Sequence, residues 1–297
     1  MLFLRYYALG GGFMRLNKQM LASQSATSIF VLLWGSAAIF TRWGLDNASS
    51  IALLILRFST ALLVLLLLAL FRKRLLPKSG TRKQVLLTGL LIIAGYSICY
   101  FKAMAYGVTP GLMATIMGIQ PILTLCLLEK RLQKERLFGL LIALAGLILL
   151  VWKSLTMSFI APIGILFALT ALICITFGAI MQKNIQQAPT DVLPLQYVIS
   201  LVVCLFIVPL EHFEITWNLQ LIISVLFLGI LISVVAQLLL YRLLSQGNIV
   251  NVTSLFYLVP IVTALLDFLI LKNKLPLAGL IGMIAILLGL MLVFKKK

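Results

Sequence analysis

Residues 104–121 read MAYGVTPGLMATIMGIQP, and residues 243–260 read LLSQGNIVNVTSLFYLVP. Each is an 18-residue window that closes on a proline inside an apolar run, Pro121 in the first and Pro260 in the second. A proline in a helix interior removes one backbone hydrogen bond and crowds the turn before it, so both helices are expected to kink there. The likeness continues downstream. Leu132, Gly139 and Gly146 are spaced seven apart, and Leu275, Gly282 and Gly289 repeat that spacing. The offset is 139 residues at the prolines and 143 at the glycines. Four residues make about one helical turn, so the fourth apolar run is expected to be one turn shorter than the ninth. Upstream, Arg57-Phe58 falls opposite Gln196-Tyr197 at offset 139, and Trp34-Gly35 opposite Phe177-Gly178 at offset 143.

The windows sit in a chain of 297 residues that is 63% hydrophobic and 10% charged, with a mean hydropathy of +1.17. Soluble domains run about 45–50% apolar and about 25% charged, so a soluble fold and a disordered chain are both excluded. A helix needs about 20 apolar residues to cross the hydrocarbon core. Ten such runs are present: 25–44, 51–71, 85–102, 110–128, 137–153, 160–181, 191–209, 219–241, 249–271 and 276–294. None alternates in polarity as a lipid-facing barrel strand must. Pro110, Pro162 and Pro276 stand near run starts, where the missing N–H does no harm. The fold expected is an all-α integral membrane protein of ten transmembrane helices, arranged as two inverted five-helix repeats over 25–153 and 160–294. Five spans is an odd number, so the second half must enter the membrane upside down. Residues 1–24 fit no span, and no cleavage site follows a proper apolar region; a cytoplasmic tail is expected, with a start misassigned upstream of Met14 or Met20 as the alternative.

The formal charge of +17 has the look of a nucleic-acid binder, but topology accounts for it better. With the N-terminus placed inside, 18 of the 24 Lys and Arg fall in inside segments, the densest of them Arg72–Lys83; Arg42, Lys102, Lys153, Lys272 and Lys274 fall outside, and Arg57 lies within a span. The positive-inside rule then puts both termini on the cytoplasmic side. The expected location is a bacterial inner membrane. No nucleic-acid partner is expected. The four cysteines all lie in apolar runs without CxxC spacing, and His212 is the single histidine. Neither a zinc site nor a disulfide framework fits that pattern, and no cofactor is expected. GxSxG, HExxH and P-loop motifs are absent, which argues against an enzyme and leaves a gradient as the drive for uphill transport. Inverted halves are a hallmark of secondary transporters, which bind substrate near the midplane between them.

The first span, LLWGSAAIFTRWG (32–44), the LRF of Leu56-Arg57-Phe58, and the proline-to-glycine stretches 104–146 and 243–289 together resemble the drug/metabolite transporter superfamily, specifically its ten-span EamA-type members. The resemblance covers 25–294. It departs where the family's Gly-Glu-Arg-Leu turn reads Glu129-Lys130-Arg131-Leu132 and, in the second half, Lys272-Asn273-Lys274-Leu275, which has lost its acid. What the resemblance implies is a secondary transporter of small metabolites such as amino acids, in most cases an exporter. Import of environmental metabolites and a lipid-flipping or lipid-modifying role are the alternatives. The partners expected are a small-molecule substrate and the lipid bilayer, with a homodimer left open.

Charges and hydrogen-bonding groups inside spans are costly and mark candidate sites. Asp267 is the one carboxylate deep in a run, a candidate for proton or cation coupling. Arg57 is a candidate for an anionic group, or for a charge pair with Asp46 or Asp267. Trp34, Tyr100 and Tyr257 are cavity candidates through stacking and cation–π contact. Gln120, Gln237, Asn251 and Ser254 are candidates through hydrogen bonding; for each, a plain interhelical bond worth about 0.6 kcal/mol is the competing reading. The glycines of the fifth and tenth runs read as close-packing positions without chemistry.

Overall fold

The computed structural model describes residues 25–72, 76–129, 133–156, 161–270 and 276–295, with the side chains of 153, 154, 156 and 267–270 outside that description. The tail 1–24 also lies outside it. The described chain is helical, and ten helices are long and apolar enough to cross a membrane. They are α1 (Ser25–Leu45), α2 (Ser50–Arg72), α3 (Ser79–Ala105), α4 (Pro110–Leu128), α5 (Lys134–Thr156), α6 (Pro162–Lys183), α7 (Pro189–Leu210), α8 (Leu219–Gln246), α9 (Ile249–Leu266, its last helical segment reaching Ile270) and α10 (Leu277–Phe294). The chain is a multi-pass membrane protein. The bundle has a basic end, where the α2–α3 connection lies, and an opposite end, which carries the α1–α2 and α7–α8 connections.

Local chemistry sets the starts. The Thr109 side chain accepts the Leu112 N–H with Pro110 at the first turn of α4, and Asn248 accepts from Val250 and Asn251 at the start of α9. These caps stand 139 positions apart, the offset of the two prolines. Both helices are interrupted rather than merely bent. In α4 regular helix stops at Met117 and resumes at Gln120; in α9 a 3-10 turn over Leu255–Tyr257 separates Ile249–Ser254 from Leu258–Ile270. Each break falls just before its proline, where the helix has lost an N–H donor.

α3 widens to π-helix over Leu90–Gly95, and α8 does so over Phe227–Ala236. Such bulges are rare and concentrate at functional positions. The third span also begins earlier than the apolar run, at Ser79, because a 3-10 turn leads into it.

Packing brings matched positions together. Phe58 meets Tyr197 edge-on with ring centroids 5.6 Å apart, and the Tyr257 hydroxyl donates to the Gly118 carbonyl. The extensive contact of α5 with α10 is built on glycines. A Cβ on Gly146 would lie 2.6 Å from the Gly282 carbonyl oxygen, and one on Gly139 2.7 Å from that of Gly289. Backbones this close gain dispersion contacts that lipid cannot replace.

Candidate functional site

A cavity of about 820 Å³ opens between the halves. Its lining residues run from mid-bundle, at Trp34, Gly118 and Phe256, toward the end away from the basic end. α1 contributes Trp34 and Thr41, α2 Arg57, α3 Tyr96 and Tyr100, α4 its first segment, α8 Leu228 and Ile232, and α9 Phe256, Pro260 and Thr263. The interruption of α9 turns Phe256 and Pro260 to this space. Close helix approach fixes the α1 wall: Gly35 meets Val262, and Thr263 Oγ1 donates to the Gly35 carbonyl at 2.6 Å. Trp34 is wedged against Phe30 and Phe256, at 5.1 and 5.4 Å between ring centroids.

Arg57 is the cationic feature of the cavity. Its Nε donates to Ser233 Oγ at 2.7 Å, which orients the guanidinium and leaves the outer nitrogens directed elsewhere. The guanidinium carbon lies 5.8 Å from the ring centroids of both Phe58 and Phe101, within cation–π range. Gly229 makes this possible, since a Cβ there would come within 2.7 Å of Thr60 Cβ and 3.2 Å of the Arg57 carbonyl. The pairing with Asp46 entertained from sequence is not made: Asp46 sits 3.0 Å from Arg42, one turn back on α1. Among the described residues no carboxylate pairs with Arg57. A guanidinium held this way, with aromatic walls around it, can take a carboxylate at its outer nitrogens and an organic body against the rings.

Of the sequence candidates, the structure brings Trp34, Arg57 and Tyr100 together on the cavity wall. It does not place Gln120, Gln237, Asn251, Ser254 or Tyr257 there. Each is held by other demands, Tyr257 and Gln120 near mid-span and the others toward the basic end. Tyr257 is buried under the α4 break, Ser254 donates to the Val250 carbonyl, and Asn251 accepts from Arg136 at 2.6 Å. Gln237 is buried at the end of the α8 π segment, and Gln120 is buried beside Pro121. Asp267 lies in the last helical segment of α9, and its side chain is outside the described residues. Ser233 and the two π segments were missed. The available signal for Ser233 was its place four residues after Gly229 in FLGILISVVA, one small and one polar position on a single face. No group of His, Cys, Asp and Glu suited to a metal occurs among the described residues.

The EamA-like transporter family profile matches residues 25–152 and again 162–295. The chain belongs to the EamA-like transporter family. Among its relatives is a "Probable amino-acid metabolite efflux pump" of Salmonella typhimurium, 28% identical over 88% of this chain and 91% of that protein. A protein of the same description from Escherichia coli is 26% identical over the same shares. An "Uncharacterized transporter" of Archaeoglobus fulgidus is 24% identical over 91% of this chain and 96% of that one. A solved crystal structure superposes with a TM-score of 0.77 at 21% identity, covering 91% of this chain and 98% of the other, which supports the fold. The protein is thus a membrane transporter of a small molecule, and not an enzyme.

Proposed function

We propose that this EamA-like transporter exports amino acids or closely related carboxylated solutes across the bacterial inner membrane, by alternating access between two inverted halves. The observation that carries the substrate class is Arg57, a cation in the cavity with no carboxylate partner among the described residues. The efflux-pump description of the two bacterial relatives supports both the class and the direction. Several features at or within two residues of one offset support the inverted halves. They are the two caps, the two interrupted helices and the two π segments, together with contacts that residues 139 apart make with each other: Phe58 with Tyr197, and Gly118 with Tyr257. A pseudo-two-fold axis in the membrane plane makes equivalent positions meet where they lie on it. The glycine contacts obey the same rule, since Gly139 against Gly289 becomes Gly282 against Gly146 when the halves are exchanged. The positive-inside count supports cytoplasmic termini.

Cells preloaded with a panel of labelled amino acids test the reading. Faster loss of at least one of them to the medium on expression is expected; equal loss of all of them with and without the protein would contradict export. Faster uptake in place of loss would reverse the direction while keeping the transporter.

A further inference from the structure

The open cavity has a closed counterpart. On α9 its wall includes Val259, Pro260, Thr263 and Ala264. Counting back 139 positions gives Gln120, Pro121, Thr124 and Leu125, and those four are the buried residues of the second α4 segment. Val259, Thr263 and Ala264 are thus partly exposed to the cavity in one half, while their counterparts Gln120, Thr124 and Leu125 are buried in the other; the prolines are buried in both. The shut face holds a polar group without a partner: Gln120 is 2% exposed, and its Nε2 makes no hydrogen bond. Buried amides are normally satisfied, so an unpaired one calls for an explanation.

The cover over this face is specific. The Ile249–Ser254 segment of α9 packs on the Gln120–Leu128 segment of α4. Where they meet, at the basic end, Arg136 is buried to 9% exposure. It ion-pairs with Glu129, donates to Asn251 Oδ1 at 2.6 Å, and reaches Asn248 Oδ1 at 3.3 Å. Glu129 closes α4 and Arg136 lies in the first turn of α5, whereas both asparagines open α9, so the cluster ties the two halves together. It is incompletely satisfied: Arg136 Nε and Glu129 Oε2 lack partners. At the opposite end the positions equivalent to Asn248, Asn251, Glu129 and Arg136 are Thr109, Leu112, Lys272 and Gly279. In sequence that set contains no acid, and the end of the bundle where Thr109 lies holds the open cavity.

From this asymmetry we infer that the Gln120–Pro121–Thr124 face is a second substrate-contacting wall, exposed when the protein opens to the basic end, and that the Glu129–Arg136–Asn251 cluster is the latch that keeps it shut. The inference rests on the reading of the halves as inverted repeats of a transporter. Uncovered, the wall offers a neutral amide and a hydroxyl to the solute, where the open cavity offers a guanidinium. A carboxylate therefore meets a weaker partner on this side, while a polar uncharged group can bond equally to Gln120.

The test uses the full chain with Cys99, Cys126, Cys174 and Cys204 replaced, carrying a single reporter, either Gln120→Cys or Ala264→Cys. Membrane-impermeant maleimide is applied to right-side-out and to inverted vesicles. With the latch intact, Ala264→Cys labels from the end that carries the α7–α8 connection, and Gln120→Cys resists label. Glu129→Gln, and separately Asn251→Ala, should raise Gln120→Cys labelling from the basic end about tenfold, equivalent to ~1.4 kcal/mol in a two-state equilibrium, and lower Ala264→Cys labelling reciprocally. Either of two results overturns the latch: Gln120→Cys stays protected in both variants, or both reporters brighten together, which is loosening without exchange. Counterflow measured on the same vesicles separates this failure from failure of the transporter reading, since a variant that still moves solute with Gln120→Cys protected refutes only the latch and its wall.

Discussion

Arg57 concentrates the chemistry of the cavity in one side chain. Its Nε is spent on Ser233, and its outer nitrogens remain for a ligand. Hydrogen bonds to a charged group contribute about 1.5–3 kcal/mol, so Arg57→Gln should raise KM for a carboxylated substrate about 10- to 100-fold. The corresponding amine, lacking the carboxyl, should change little. Concentration-dependent transport by the two proteins checks this, and an equal loss for both compounds would assign Arg57 a structural role. Arg57→Lys should recover only part of the loss, because an ammonium lacks the planar fork that grips a carboxylate at two points. Single residues were only partly legible in the sequence. Charge in an apolar run marks a costly position, which brought out Arg57, and an aromatic with a polar atom brought out Trp34 and Tyr100. Gln120, Asn251 and Tyr257 carried the same kind of signal but sit elsewhere. In a helix apolar on every side, periodicity does not say which face looks at a cavity and which at a neighbour.

At the scale of elements, the glycine face of α5 and α10 leaves no room for side chains. Gly146→Val and Gly282→Val should each overpack that contact and destabilise the protein by about 1–3 kcal/mol. A lowered unfolding temperature in detergent would register it, whereas an unchanged midpoint would mean the helices can slide apart at no cost. Gly279, where a Cβ would meet nothing nearer than 3.6 Å, is the control at which Ala should be tolerated. These glycines were legible because their spacing repeats, as were the interruptions of α4 and α9, since proline removes a donor wherever it stands. The π segments were not. Widening from α to π depends on what packs against the turn, here Ile92 on Gly178 in α3 and Thr60 on Gly229 in α8, and no local pattern encodes that.

For the whole molecule, the span count followed from composition and run length, because a 63% hydrophobic chain has few ways to satisfy its backbone in lipid, whereas the family followed from the resemblance carried by 32–44, Leu56–Phe58 and the two proline-to-glycine stretches. What the sequence left open was the state. The cavity lies toward the end away from the basic end, and on the proposed alternating access this conformation is one of the two states required. Asp267 belongs at this scale, as the acid proposed from sequence to couple transport to a proton gradient. Asp267→Asn should abolish accumulation driven by a pH gradient while leaving solute exchange intact, and accumulation at the wild-type rate would remove that role. The central claim, that carboxylated solutes cross through the Arg57 cavity, is tested most directly by counterflow in proteoliposomes. Vesicles loaded with an unlabelled amino acid are diluted into a trace of the same labelled compound. The account predicts transient accumulation of label by the wild-type protein and its loss in Arg57→Gln. No accumulation of any panel member by the wild type, or undiminished accumulation in the variant, would contradict it.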